Sequence, residues 1–175
     1  EFGDRDAIAR AKAEIVEALP EDGVAVLNGD DPLVRRMAEQ TAAKVVMFGE
    51  SVHADVRAEE VRLDDLGRAS FRLVHADGSA EVSLTLHGEH HVSNALAAAA
   101  VAVELGLSVM DTAAGLSAAT SLSRWRMEVT DRADGVTIVN DAYNANPDSV
   151  RAALKALVAM GATGRRTWEV LGETR

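Results

Sequence analysis

Apolar positions along this chain recur in two rhythms, and the changes of rhythm mark its elements. From Asp6 to Leu19, Ile8, Ala11, Ile15, Val16 and Leu19 fall at helical spacing, which predicts a helix followed by Pro20 and the turn residues Glu21, Asp22 and Gly23. Val24–Asn28 (VAVLN) and Lys44–Phe48 (KVVMF) read as short strands. Between them Gly29-Asp30-Asp31-Pro32 opens a helix with Asp31 as its N-cap. From His53 to His87 the period shortens to two. Runs such as Ser70–Val74 and Glu81–Leu86, separated by Asp77-Gly78, predict antiparallel hairpins. His91–Leu105 is an Ala-rich helix ended by Gly106, and Val109–Thr120 reads as another. Beyond a boundary near Ser121–Ser123 come the strand Met127–Thr130, its hairpin partner Val136–Val139, the helix Ser149–Met160 and the strand Thr167–Leu171. This is an α/β pattern in two parts, 1–121 and 122–175. The second part reads as a β-α-β unit barely begun, so the chain is expected to be a piece of a larger protein.

The densest chemistry lies in Val136–Ser149, VTIVNDAYNANPDS. A short buried strand is expected to run directly into Asn140, Asp141, Tyr143, Asn144 and Asn146. Pro147 then opens a helix, with Asn146 as its N-cap. Ligands in open α/β sheets sit beyond the carboxyl ends of strands, and a helix N-terminus there favours anions. Amides and carboxylates in that place can grip hydroxyls, phosphates or a metal-bound nucleotide. The same residues can equally serve only to cap the helix and fill the turn.

Three further features invite two readings each. Lys12 is expected to point into the apolar stripe of its helix, either as a snorkelling edge residue or as a desolvated lysine of depressed pKa. His87-Gly88-Glu89-His90-His91-Val92-Ser93-Asn94 enters the Ala-rich helix. It lacks the HExxH spacing of a zinc helix, which leaves a loop presenting Asn94 and a ring to a planar ligand, or simple capping. Arg124 and Arg126 stand at the boundary, where an arginine can reach a phosphate held by another domain or be an ordinary surface residue.

Composition narrows the function classes. The chain is 47% hydrophobic and 26% charged, as in folded soluble proteins. Its net charge of −10 argues against a nucleic-acid surface but not against one nucleotide. With no cysteine, thiolate metal sites and thiol nucleophiles are excluded. No apolar run approaches the roughly 20 residues of a membrane span. The charged opening EFGDRDAIARAK is unlike a signal peptide, and a bacterial cytoplasmic setting fits. There is no GxxxxGK[ST], GxGxxG or GxSxG, and the Gly161–Gly164 tract precedes an expected strand, where its glycines cannot cradle phosphate.

Taken in order, these pieces resemble the Mur ligase family of peptidoglycan synthesis over essentially the whole chain. EFGDRDAIARAKAEI is similar to the family's FGS-x-E-x-IA-x-AK-x-E segment, and GEHHVSNALAAAAVA to its G-x-HN-x-x-NALAAAA-x-A helix. RMEV with DAYNANPDS, and WEVLGE, resemble its R-x-E, DxYNANP and VLG-(D/E)-M motifs. DAYNANP points to the branch that joins D-alanyl-D-alanine to UDP-N-acetylmuramoyl-tripeptide.

The resemblance implies that residues 1–121 are the C-terminal part of a central ATPase domain without its phosphate loop. Residues 122–175 would begin a Rossmann-like C-terminal domain. It implies ATP-dependent amide ligation through an acyl phosphate, with metal ions and cationic side chains bringing anions together. Lys12 matches the family lysine that becomes carbamylated and helps hold Mg²⁺. Asn94, with His90 and His91, matches the adenine contact, Arg126 the arginine that reaches the γ-phosphate, and Asp141 the residue facing the ribose. Tyr143, Asn144 and Asn146 fall in the linker that lines the cleft. The enzyme is expected to be monomeric, without a nucleic-acid or membrane partner, and these 175 residues to be inactive alone. His91 stands where relatives have Asn, Thr174 where they have Met, and Asp4 where they have Ser. A folylpolyglutamate synthase-like ligase and a non-catalytic nucleotide-binding or scaffold module are the alternatives.

Overall fold

The computed structural model describes residues 4–120, 125, 127–143, 145, 147–162 and 164–172. Helix α1 (Arg5–Glu17) begins where Asp4 accepts a 2.8 Å hydrogen bond from the Ala7 amide. An N-cap needs a short side chain with an acceptor oxygen, which aspartate and serine both supply, so the departure at Asp4 is conservative. Strand β1 (Val24–Asn28) leads to α2 (Pro32–Arg36), capped by Asp31 as expected through the Leu33 amide at 2.8 Å. A 3₁₀ turn, Met37–Gln40, connects to β2 (Lys44–Gly49). Strands β3 (Val56–Leu63), β4 (Arg68–His75) and β5 (Gly78–His87) follow, then α3 (His91–Glu104) and α4 (Val109–Ala118).

One sheet runs β1-β2-β3-β4-β5. The β1–β2 and β2–β3 pairs are parallel, and β3–β4 and β4–β5 are antiparallel. The apolar runs of β1 and β2 are explained by helices on both faces. The side chains of α1 pack with Ala25, Leu27 and Met37 on one side, and α3 covers the other. The alternating strands carry one dry face only. Ala69, Phe71 and Leu73 of β4 and Ala80, Val82 and Leu84 of β5 meet Val92, Leu96, Ala99 and Ala100 of α3. Their other face is wet, and Arg57, Glu59, Glu60 and Arg72 form a chain of ion pairs on β3 and β4.

This topology gathers four connections at one sheet edge. The parallel β1 and β2 end there, β3 turns into β4 there through Asp64–Gly67, and β5 leaves there for α3.

After α4 the chain forms a two-stranded hairpin, β6 (Glu128–Asp131) and β7 (Thr137–Asn140), and then α5 (Pro147–Gly161). Pro147 opens α5 as expected. Two expectations fail. The strand at Val136–Val139 is not buried, because among the described residues no sheet or helix layer covers the hairpin: Val136 is 51% and Ile138 46% exposed. Thr167–Leu171 forms no strand, and Val170 is 94% exposed. A strand is made by its ladder partner, and among the described residues no strand pairs with this segment.

Candidate functional site

At the shared edge the connections are tied to one another by backbone and carboxylate. Asp30 accepts from the Glu50 amide at 2.7 Å and the Ser51 amide at 3.2 Å, joining the loops after β1 and β2. Gly49 makes this possible, since a Cβ there would lie 2.6 Å from the Asp30 carboxylate. The Gly88 amide donates to the Gly67 carbonyl at 2.8 Å, and the His87 ring meets the Leu66 carbonyl at 2.8 Å. The turn before α3 therefore hangs on the β3–β4 turn.

That turn presents two imidazoles. His90 and His91 lie with ring centroids 4.2 Å apart and planes inclined by 38°. Gly88 has a φ of +114°, and a Cβ there would come within 2.6 Å of the His90 ring, so a glycine is what lets the ring fold back. Burial, with His90 and His87 beside it, pushes the His91 pKa down to about 4. Partial burial also lowers the His90 pKa, while the Asp141 carboxylate pulls it up. Both rings are neutral at physiological pH. They can stack on or hydrogen-bond to a planar ligand, but they do not serve as cations there.

Asn94 lies one turn along α3 and is exposed. Helix α3 has no side-chain cap bond, so the capping alternative fails for this loop. Asp141, just after β7, is near enough to act electrostatically on His90 and also accepts from the Met127 amide at 3.0 Å, closing the hairpin's base. Trp125 and Met127 are both left-handed, at φ of +63° and +46°, and the Asp141 bond pins the second of them. Asn140 accepts from the Ala142 amide at 3.3 Å, so it fills the turn. Tyr143 is 57% exposed, and its amide donates to the Trp125 carbonyl at 3.0 Å.

Between these turns and α5 lies a cleft of about 280 Å³. Glu50, Glu89, His90 and Ser93 line one wall, and Arg151 and Lys155 the other. Burial raises the Glu50 pKa, helped by the Asp30 and Glu89 carboxylates.

Residues 1–102 match the Mur ligase middle domain, and residues 125–175 match the Mur ligase glutamate ligase domain. The chain belongs to the Mur ligase family. It is 53% identical over 176 residues to the UDP-N-acetylmuramoyl-tripeptide–D-alanyl-D-alanine ligase of Mycobacterium tuberculosis, covering 99% of this chain and 34% of that protein. The Bacillus subtilis protein of the same name is 32% identical over 173 residues, covering 99% of this chain and 36% of its own length. Among solved structures it is similar to MurF from Acinetobacter baumannii, at a TM-score of 0.82 and 38% identity, covering 91% of this chain and 34% of that one. MurF from Thermotoga maritima in complex with ADP superposes at a TM-score of 0.75 with 26% identity, covering 90% of this chain and 36% of that one. The chain thus spans about a third of the length of these relatives.

In this Mur ligase chain the expected site residues fall into three groups. His90, His91, Asn94 and Asp141 come together at the start of α3, with Tyr143 close by in sequence after Asp141. Arg124, Arg126, Asn144 and Asn146 lie outside the described residues, as does the boundary segment Ser121–Ser123. Lys12 lies elsewhere, and its expected setting is corrected. The buried face of α1 is Ala13 and Val16, with Ala9 and Leu19 half-buried beside them, while Ile8 is 42% and Ile15 72% exposed. The helix docks by its small side chains, and Lys12 is exposed on the outward stripe between the two isoleucines. It is not a desolvated lysine. Sequence reasoning passed over Asp30, Glu50 and the two edge glycines, Gly67 and Gly88. Asp30 and Gly88 stood in quoted motifs, but nothing in their spacing announced the contacts across the sheet edge.

Proposed function

We propose that this chain is the segment of a UDP-N-acetylmuramoyl-tripeptide–D-alanyl-D-alanine ligase in which the nucleotide's base and ribose are held. The observation that carries the reading is the 53% identity to such an enzyme along the whole segment, against 35% over 164 residues to the UDP-N-acetylmuramate–L-alanine ligase of Clavibacter sepedonicus. The grouping of side chains supports it. Asn94 offers a paired donor and acceptor for a purine edge, and two uncharged imidazoles offer planar faces. Asp141 offers a carboxylate to ribose hydroxyls.

In the proposed reaction the tripeptide's terminal carboxylate attacks the γ-phosphorus of ATP and ADP departs, leaving an acyl phosphate. The amine of D-alanyl-D-alanine attacks the acyl carbon, loses a proton, and phosphate leaves. Mg²⁺ would neutralise phosphate charge during the transfer. Among the described residues no three His, Asp or Glu side chains could cage a metal. In nucleotide sites Mg²⁺ is usually held by phosphate oxygens and one or two carboxylates. We assign Lys12 that carboxylate role as its carbamate, consistent with an exposed amine that has no ion-pair partner among the described residues. Arg126 is proposed for the γ-phosphate, and Asn144 and Asn146, with Tyr143, for the cleft. Residues 1–121 and 122–175 would be parts of the central and C-terminal domains. The enzyme is proposed to act as a monomer in the bacterial cytoplasm. The 175 residues carry no phosphate loop, so the segment alone is expected to be inactive.

The test is phosphate release by the full-length enzyme containing this segment, with ATP, Mg²⁺, UDP-N-acetylmuramoyl-tripeptide and D-alanyl-D-alanine. Release that needs both peptide substrates, and is lost in Lys12→Ala and Asp141→Ala, supports the reading. Release with a folate acceptor, or none with either pair, overturns it in favour of the folylpolyglutamate-type or scaffold alternative.

A further inference from the structure

The contact between α5 and the β3–β4 turn is unlike an ordinary surface packing. The helix meets the turn with its smallest side chains, and Ala152, Ala156 and Ala159 all line that side. Ala156 is 6% exposed and Met160 7%, while the other described residues after 127 are half-buried or exposed. Opposite Ala156 sits Gly67, where a Cβ would lie 3.9 Å from the Ala156 Cβ. The Gly67 carbonyl takes the Gly88 amide at 2.8 Å, and Gly88 lies directly under the His90 ring. At the rim Lys155 reaches Glu89 at 4.0 Å. A continuous line of close backbone contacts thus runs from α5 to His90. The segment carrying α5 also carries Asp141, which acts electrostatically on His90.

We propose that the Ala156–Gly67 contact, at the floor of the cleft, is a seat that sets the distance between Asp141 and His90, which makes Gly67 and Ala156 positioning residues for those two groups. Small residues suit this task. Two backbones that touch through glycine and alanine have one separation, whereas long side chains would allow several. The Lys155–Glu89 pair is exposed at the rim and adds orientation more than strength. The inference stands on contacts within the chain and does not depend on which reaction the enzyme performs.

Two experiments on the whole chain test it. These 175 residues contain no cysteine, so in this chain Gly67→Cys/Ala156→Cys introduces a single possible bridge. The Cβ separation of 3.9 Å falls within the disulfide range of about 3.5–4.5 Å. Mild oxidation is expected to convert the double variant, and neither single variant, to a faster-migrating band on a non-reducing gel. A folded double variant that stays reduced would show that α5 does not sit there.

Gly67 has a φ of +73°, so cysteine there is strained, and a second measurement avoids that position. Ala156→Leu should wedge the helix off its seat. The NMR titration of His90 should then shift down, as it should in Asp141→Asn, because the carboxylate that holds it up has withdrawn. In the combined variant the two shifts should not add. A His90 titration that Ala156→Leu leaves unchanged, in a chain where Asp141→Asn moves it, overturns the proposal.

Discussion

Residues 4–120 and the region from residue 125 onward are built from the same vocabulary of short strands and amphipathic helices, yet they differ in what their apolar side chains do. In the first region Val56, Phe71, Leu73, Val82, Val92 and Leu96 are all less than 2% exposed. In the second, Ile138, Trp168, Val170 and Leu171 are largely in water, and the buried residues are Met127, Ala156 and Met160. The difference lies in layers. A five-stranded sheet has helices to cover it, while a two-stranded hairpin without a covering layer is marginal on its own. What the second region buries through Ala156 it buries against the first.

The largest test of that contrast is core truncation. Phe71→Ala should destabilise the chain by about 3–5 kcal/mol, read from denaturant unfolding followed by far-UV circular dichroism. Ile138→Ala, an apolar truncation on the exposed hairpin, should change stability by no more than about 0.5 kcal/mol. The probes can be separated, because both tryptophans, Trp125 and Trp168, are in the second region at 53% and 82% exposure. Their emission should already be that of solvated indole in the native protein. A blue-shifted native spectrum, or equal losses in the two variants, would show that the regions are packed alike.

The start of α3 should carry the next largest effect, and its sign follows from proton binding. The His91 pKa falls from 6.5 to about 4 on folding, so between these values the unfolded chain binds more protons than the native one. Stability is therefore full above pH 6.5, declines as pH falls toward 4, and levels off below. The whole decline is bounded at about 3 kcal/mol, less what the exposed part of the ring returns to solvent. His91→Gln should flatten this limb, and a limb of unchanged steepness would mean another group titrates there. Because His91 opens α3 in the first region, away from both tryptophans in sequence, His91→Gln should leave the tryptophan emission unaltered.

How much of this could be read beforehand differs in the same way between the two regions. Runs and caps are local physics. Accordingly Val24–Asn28, the Asp31 cap, the β4–β5 hairpin and the Ala-rich helix all lie where their patterns put them. Burial is not local. The hairpin at Val136–Val139 and the segment Thr167–Leu171 have strand-like sequences, but no neighbouring layer among the described residues covers them. Lys12 failed for a related reason: two helical stripes were available on α1, and alanines at Ala9 and Ala13 permit closer docking than the isoleucines do. At the site, Asn94, the histidines and Asp141 could be named from motif resemblance. Asp30 and Gly67 could not, since their partners lie across the sheet edge.

A smaller effect separates the caps. Asp31 satisfies the Leu33 amide in a five-residue helix that holds Met37 over β1. Asp31→Ala should cost about 1 kcal/mol, and Asp31→Asn, which keeps an acceptor oxygen, much less. Equal losses in the two would assign the effect to charge, including the long 4.0 Å pairing of Asp31 with Arg5, and not to the cap.

The smallest effect lies where the two regions' charges meet. Glu50 is exposed, but partial burial and the Asp30 and Glu89 carboxylates hold its pKa above the ordinary 4.5. A raised carboxyl binds its proton more tightly in the native state, so its contribution is favourable below about pH 4.5 and lost as pH rises through the raised value. At neutral pH the ionised Glu50 is then a liability that Glu50→Gln should relieve, giving a higher Tm than the parent at pH 7 and the same Tm near pH 4. Lys155 draws on the same cluster through Glu89, so Lys155→Ala should widen the gap between parent and Glu50→Gln at pH 7 by leaving the carboxylates less compensated. If Lys155→Ala leaves that gap unchanged, the charge on α5 is not felt at the sheet edge, and the alanine seat, not the rim charges, holds α5 against the first region.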